Sequence, residues 1–291
     1  MENQFDYTRA FSRNIGWVTP DEQQALRGKR VAIAGVGGVG GGELLTLVRL
    51  GITRFHIADF DTFDVPNFNR QAGAMVSTLN QPKAEVMARM ARDINPEVDI
   101  RIFPKGVHAT NADEFLDGVD LYVDGLDFFA FDAREAVFDA CTRLRIPATT
   151  AAPLGMGVAN LNFLPGRMSF EEYFGWKGQD ELGKAVRFLV GLAPAALHRP
   201  YLVMPEALNL AERRGPSTIM ACQLCAAIVG VQAIKILLKR GDVIAAPRGM
   251  HYDGFRDKLV KTWRPGGNRH PWQRFVIAKA RRRIEQTLEQ S

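Results

Sequence analysis

The residues with most chemistry to offer lie in two stretches: "GVGGVGG", Gly35 to Gly41, and "DFDTFDVPNFNRQ", Asp59 to Gln71. Gly35, Gly37 and Gly40 form a G-x-G-x-x-G, with Gly38 inside it. Placed after a strand and opening a helix, such a turn lets the backbone approach a phosphate at the positive helix end. Asp59 stands 19 residues after Gly40, at the end of the next strand, where an acid can take ribose hydroxyls. This much fits NAD, FAD and ATP alike, and a tight turn made only for packing is the plain structural alternative.

The second stretch narrows the choice. It carries three aspartates, two asparagines and one arginine. Arg70 lies near its end, and Lys83 follows 13 residues later at a helix start. Asp127 is expected to close the fourth strand at the carboxyl edge of the sheet. Two cations and a carboxylate converging on a glycine turn suit a triphosphate and a magnesium ion. The lower charge of a dinucleotide pyrophosphate suits them poorly.

The elements that must position these groups can be read from the pattern. "RVAIAG" (Arg30 to Gly35) is a short apolar run of the buried parallel-strand kind. The helix after the glycine turn runs through Leu44, Leu45, Leu47 and Val48 and stops at Gly51. "RFHIAD" is a second strand and "PKAEVMARMARDINP" a helix opened and closed by proline. "VDIRIF", "VDLYVDGLD" and "IPATTAA" are the third, fourth and fifth strands, with a helix from Ala130 to Leu144. Alternating strand and helix over about 120 residues implies an α/β fold with a doubly wound, Rossmann-like, mostly parallel sheet.

After "VANLNFLPG" the rhythm changes. Residues 166–215 read as an irregular, helical insertion whose "FEEYFGW" most simply packs it. Residues 216–265 return to the core with a long helix, "STIMACQLCAAIVGVQAIKILLK", N-capped by Ser217, and a closing strand pair in "HYDGFRDKLVKTW". Residues 1–165 would form the nucleotide-binding core and residues 266–291 a basic tail.

Composition sets bounds. The chain has 291 residues, 46% hydrophobic and 24% charged, as soluble globular domains do. A signal peptide is not expected from its polar, acidic opening. The apolar stretch from Ile219 to Leu238 is broken by Gln223, Gln232 and Lys235 and reads as a buried helix rather than a membrane span. Three cysteines make no disulfide framework, so a cytoplasmic location is expected. The net charge of +5 is uneven: from Arg248 onward 11 Lys/Arg face 4 Asp/Glu, a surplus of +7. A solvated helix explains that tail; a phosphate-bearing or acidic partner is the sharper reading.

"SRNIG", "GVGGVGG", "DFDTFDVPNFNRQ", "PKAEVMARMARDINP" and "VDGLDFF" together resemble the ThiF/MoeB/HesA family, which shares its adenylation fold with ubiquitin-activating enzymes. The resemblance is strong from Phe11 to about Ala152 and returns weakly at "GVQAIKILL". The tract "KAEVMARMARDINP" is most similar to the threonylcarbamoyl-adenosine dehydratase branch; the region after Pro165 is not. The resemblance implies an ATP-dependent adenylyltransferase working with magnesium. Asp59 would hold the ribose, and Asn67, Arg70 and Lys83 the triphosphate, with Gln71 beside them. Asp127 would hold magnesium, and Asp61 would orient Asp59 or the metal. Arg13 would reach into the site of a second subunit, implying a homodimer. The carboxylate activated would be the C-terminus of a small carrier protein or peptide; a tRNA-modifying dehydratase and a non-catalytic or NAD/FAD-binding protein are the alternatives.

The chain departs from that pattern in its cysteines. Many such proteins carry two CxxC pairs on zinc. Here only Cys222 and Cys225 form one, inside an apolar helical stretch, so core packing is expected and a zinc site is not. Residues 145–221 hold no cysteine and Cys141 reads as core filler, so adenylation without a thioester is expected. The histidines His56, His108, His198, His251 and His270 show no metal-ligand spacing.

Overall fold

The computed structural model describes residues 5–204, 207 and 215–289. Five apolar runs become parallel strands: β1 (Arg30–Ala34), β2 (Arg54–Ala58), β3 (Asp99–Phe103), β4 (Leu121–Asp124) and β5 (Ala148–Leu154). Antiparallel β6 (Gly157–Phe163), β7 (Arg248–Asp253) and β8 (Lys258–Trp263) extend them into one sheet of order β3-β2-β1-β4-β5-β6-β7-β8. The closing strand pair expected from the sequence is β7–β8. The chain steps from β1 to β2 on one side, while β4 flanks β1 on the other. The carboxyl ends of β1 and β4 therefore bound the crevice where such sheets hold ligands.

Helices cover both faces. Near the start are α1 (Tyr7–Ala10) and α2 (Pro20–Arg27). On one face α3 (Gly40–Arg49) and α4 (Lys83–Ile94) pack apolar side chains such as Leu44, Leu47 and Met87 against Val31, Ile33 and Ile57. On the other, α5 (Ala112–Phe115) and α6 (Phe131–Leu144) pack Phe115, Val137 and Phe138 against Ala32, Ala34 and Tyr122. Alternate residues of β1 serve opposite cores, which is why the strand reads as continuously apolar. Gly51 follows α3 at φ +91°, and a Cβ there would lie 2.4 Å from the Tyr7 hydroxyl that donates to its carbonyl at 2.6 Å.

In the insertion, α7 (Phe170–Phe174) and α8 (Glu181–Leu192) bury Phe170, Tyr173, Phe174, Trp176 and Phe188 against Phe138 and Phe163, so "FEEYFGW" is packing. Part of the span 166–215 lies outside the described residues. The long helix is α9 (Ile219–Leu237), and its N-cap is Thr218, not Ser217. Thr218 Oγ1 accepts from the Ala221 N–H and donates to the Gly155 carbonyl, while the Ser217 carbonyl takes the Asn69 amide. By length and composition α9 is the one described helix apolar enough to cross a membrane, yet Cys225, Val229 and Ala233 join the core against α3 and the β5–β6 hairpin. The tail is α10 (Pro271–Glu289).

Candidate functional site

Two backbone turns meet at the centre of the sheet edge. Gly35 leaves β1 at φ +79°, and a Cβ there would lie 2.4 Å from the Gly125 carbonyl oxygen after β4. A Cβ on Gly40, at the start of α3, would lie 1.8 Å from the Gly35 oxygen. Glycine is demanded at both by backbone, not by a flexible neighbour.

The acidic loop is tied to this turn by Asp59, the residue after β2. Its Oδ2 accepts from the Val36 N–H and its Oδ1 from the Asp61 N–H, each at 2.9 Å. Burial raises the Asp59 pKa, opposed by those two hydrogen bonds and by Lys83. Lys83 opens α4 nearly buried, and its Nζ lies 3.0 Å from Asp61 Oδ2. The Lys83 N–H also bonds the Asp61 carbonyl at 2.9 Å, so one residue fixes both ends of the lysine. A continuous polar chain thus runs from the glycine turn through Asp59 and Asp61 to Lys83.

The remainder of the loop folds back over the glycines. Val65–Asn67 form a 3₁₀ turn in which Asn67 Oδ1 accepts the Asp64 N–H. The Asn67 carbonyl accepts the N–H of both Arg70 and Gln71. That brings the Gln71 amide to 3.4 Å and the Arg70 side chain to 3.5 Å from where Cβ atoms on Gly37 and Gly38 would sit. Gln71 is buried and its Oε1 has no hydrogen-bond partner among the described residues. Arg70 Nη1 donates to the Pro66 carbonyl and to Asn69 Oδ1, and it has no carboxylate partner among the described residues. A glycine cradle faced by a guanidinium without a carboxylate partner suits a phosphate-bearing ligand.

Asp127 does not close β4, as the sequence suggested. The strand ends at Asp124, and Asp127 lies in the loop before α6, exposed, with Oδ1 accepting the Phe129 N–H at 2.9 Å. The chain must turn at Gly125 to meet Gly35, which ends the ladder three residues early. Arg13 is exposed in the 3₁₀ turn Ser12–Asn14. Asp127 is an exposed hard-oxygen donor beside the Gly125 turn, a lone carboxylate of the kind magnesium accepts alongside substrate phosphates; no group of three or more His, Cys, Asp or Glu placed to hold a metal occurs among the described residues.

This arrangement coincides with a match of residues 11–274 to the ThiF family. The chain belongs to that family. It is 32% identical over 151 residues to the tRNA threonylcarbamoyladenosine dehydratase of Bacillus subtilis, covering 52% of this chain and 57% of that protein. It is 33% identical over 135 residues to the sulfur carrier protein adenylyltransferase of Thermus thermophilus, covering 46% and 49%. The chain spans about half the length of these curated relatives. Its fold is shared with Escherichia coli MccB solved with ATP, at a TM-score of 0.67 and 19% identity over 89% of this chain and 72% of that one.

Within this ThiF fold, several groups at the site escaped the sequence reading. Arg134 of α6 is buried, pairs with Asp124 at 2.9 Å, and donates to the carbonyls of Leu126, Asp127 and Phe128. Glu43 of α3 is fully buried with neither carboxylate oxygen partnered among the described residues, and burial holds its pKa well above the usual range. Cys222 lies with its Sγ 3.5 Å from the Cβ position of Gly38, so this half of the CxxC packs on the glycine turn; Cys225 is core. One signal was available: Glu43 and Arg134 fall on the apolar faces of their helices, Glu43 with Leu47 and Arg134 with Phe131 and Phe138. Cys141 is buried in the core, and His56 Nδ1 lies 2.8 Å from the Phe115 carbonyl.

Proposed function

We propose that this chain is an ATP-dependent adenylyltransferase that activates the C-terminal carboxylate of a small carrier protein or peptide. The observation that carries the reading is the seating of Arg70 and Gln71 against Gly37 and Gly38, on the turn whose Val36 N–H is held by Asp59. ATP use is supported by the chain's similarity to proteins named adenylyltransferases.

Asp59 takes the ribose. Gly37, Gly38 and Gly40 bring backbone N–H groups to the phosphates, while Gly35 makes the turn with its own N–H kept on the Ala58 carbonyl; Asn67, Gln71, Arg70 and Lys83 stand around them. Asp127 holds magnesium, which supplies charge neutralisation when bound. The acyl carboxylate attacks the α-phosphorus, the bond to the bridging oxygen breaks, and pyrophosphate leaves with an acyl-adenylate remaining. Arg70 and Lys83 offset charge that grows on the departing pyrophosphate, and orientation supplies the rest of the rate. Asp61 holds Lys83 in place, so Lys83 swings little on binding. Arg13 completes the site of a partner subunit in a homodimer, and three free thiols suit the cytoplasm.

The test is carboxylate-dependent exchange of labelled pyrophosphate into ATP, with candidate carrier proteins and peptides. Exchange should appear with one of them and fall at least ~100-fold in Arg70→Ala. ATP binding without exchange for any carboxylate sinks the enzymatic reading.

A second reading is activation of a carboxylate on a modified tRNA base. It is favoured by the 32% identity to a tRNA dehydratase and by the basic α10. Exchange that depends on tRNA alone selects it.

A further inference from the structure

The C-terminal helix carries features that the nucleotide site does not use. On α10, Trp272, Phe275, Lys279 and Arg282 recur at spacings of three and four, which places them along one face. All four are exposed, the two rings at 62% and 60%. Those rings lie 5.7 Å apart and only 30° from parallel. Beside them a groove of about 430 Å³ opens between α8 and α10, lined by Arg187, Arg274, Arg281 and Phe275. Arg281 is paired with Asp180 at 2.7 Å. Arg187 and Arg274 have no carboxylate partner among the described residues, and Arg187 Nε donates to Gln179 instead. Burial lowers the Arg187 pKa, and the like charges of Arg274 and Arg269 add to that, against Glu171. Glu171 is engaged by Arg269 and Asp180 by Arg281, so Arg187 and Arg274 facing the groove leave room for an anion.

We propose that the α8–α10 groove and the aromatic and basic face of α10 bind a single-stranded nucleic acid, the rings stacking on bases and the guanidiniums taking phosphates. Charge complementarity selects a polyanion, and the exposed ring pair selects one with flat bases. An acidic peptide would neutralise the cations but leave the rings without a flat partner. A bilayer would need the apolar side of the helix, yet Ile277 is buried toward α8, and among the described side chains of α10 the exposed large apolar groups are the two rings at one end. The proposal is independent of which carboxylate the nucleotide site activates.

The experiment is fluorescence anisotropy of the full chain with labelled mixed-sequence RNA and DNA single strands about 16 nucleotides long, a length within the site sizes of stacking platforms. Polyglutamate and phosphatidylglycerol vesicles serve as competitors. Trp272→Ala and Phe275→Ala should each weaken binding about 5-fold or more, since base stacking is worth ~1–3 kcal/mol. Arg274→Ala should lower the slope of log K against log salt by about 0.7. Thermal melts must show the variants folded, and pyrophosphate exchange driven by a protein or peptide carboxylate should be the same in Trp272→Ala as in the wild type. No binding at ~50 mM salt overturns the proposal. So does binding untouched by both ring substitutions, which leaves a generic cationic face, or vesicles or polyglutamate that outcompete the strands.

Discussion

Arg134 grips the loop that presents Asp127: its Nη2 donates to the Asp127 carbonyl at 3.0 Å and to that of Leu126 at 2.7 Å, while its Nε pairs with Asp124 at 2.9 Å. Arg134 and Asp124 are both buried, so neither charge can turn to water if the other is lost. Arg134→Ala should therefore cost ~3–5 kcal/mol, as breaking one side of a buried ion pair does. Denaturant titration of Arg134→Ala and of Arg134→Met with Asp124→Leu checks this. The double variant should recover part of the loss, because no orphan charge remains. A single variant within ~1 kcal/mol of wild type would show that the pair holds nothing.

The glycine turn yields a contrast between neighbours. Gly40→Ala puts a methyl 1.8 Å from the Gly35 carbonyl oxygen, and backbone cannot step aside cheaply. That variant should lose ATP protection against melting and several kcal/mol of stability, by ~3 or more on the scale of overpacked cores. Gly42→Ala meets only the Ala226 methyl at 3.4 Å inside α3. Helix propensity favours alanine there by up to ~1 kcal/mol, so this variant should melt no lower than wild type. Melting curves with and without ATP separate the two.

Much of this geometry was legible beforehand, and the reason is local. Apolar runs, proline and glycine stops and the period of α4 are written within short windows, so β1 to β5 and the helices between them could be placed. The pairing of Lys83 with Asp61 and the seating of Arg70 on Gly38 are long-range contacts. They depend on how strands 20 to 90 residues apart come into register. Asp127 could be chosen by spacing, but the end of β4 could not, because it depends on Gly125 meeting Gly35. Ser217 is the better cap by type, but Thr218 takes the role because its hydroxyl accepts the Ala221 N–H and donates to the distant Gly155 carbonyl.

Glu43 should make stability fall as pH rises. Its folded pKa is raised, chiefly by burial and then by Asp124, above the 4.5 of an ordinary glutamate. The unfolded chain loses this proton near pH 4.5, while the folded chain keeps it to higher pH. The folded state binds more protons in that window, so stability is fullest below pH 4.5 and declines above it. Glu43→Leu should raise the denaturation midpoint at pH 7.5 more than at pH 4.5. An equal change at both pH values would mean that Glu43 titrates normally.

His251 should act in the opposite direction. It lies on β7, fully buried, with neither ring nitrogen partnered among the described residues, its ring centroid 6.1 Å from that of His198. Burial first and the neighbouring His198 second depress its pKa to about 4, against a raising pull from Asp253. Asp253 is itself held by the Tyr201 hydroxyl at 2.6 Å and by the Arg256 N–H, so it offers His251 little. The unfolded histidine takes its proton near pH 6.5 and the folded one only near 4. Stability from this residue is whole above pH 6.5 and lost as pH falls through that interval, by up to about 3 kcal/mol at ~1.4 kcal/mol per pH unit. His198 titrates in the same direction, since burial lowers its pKa too. Denaturant titrations at pH 7.5, 5.5 and 4.5 should show His251→Leu losing less stability on acidification than wild type. If the two acid limbs are parallel, His251 takes up its proton in the folded state as readily as in the unfolded chain, and the buried pair carries no charge penalty.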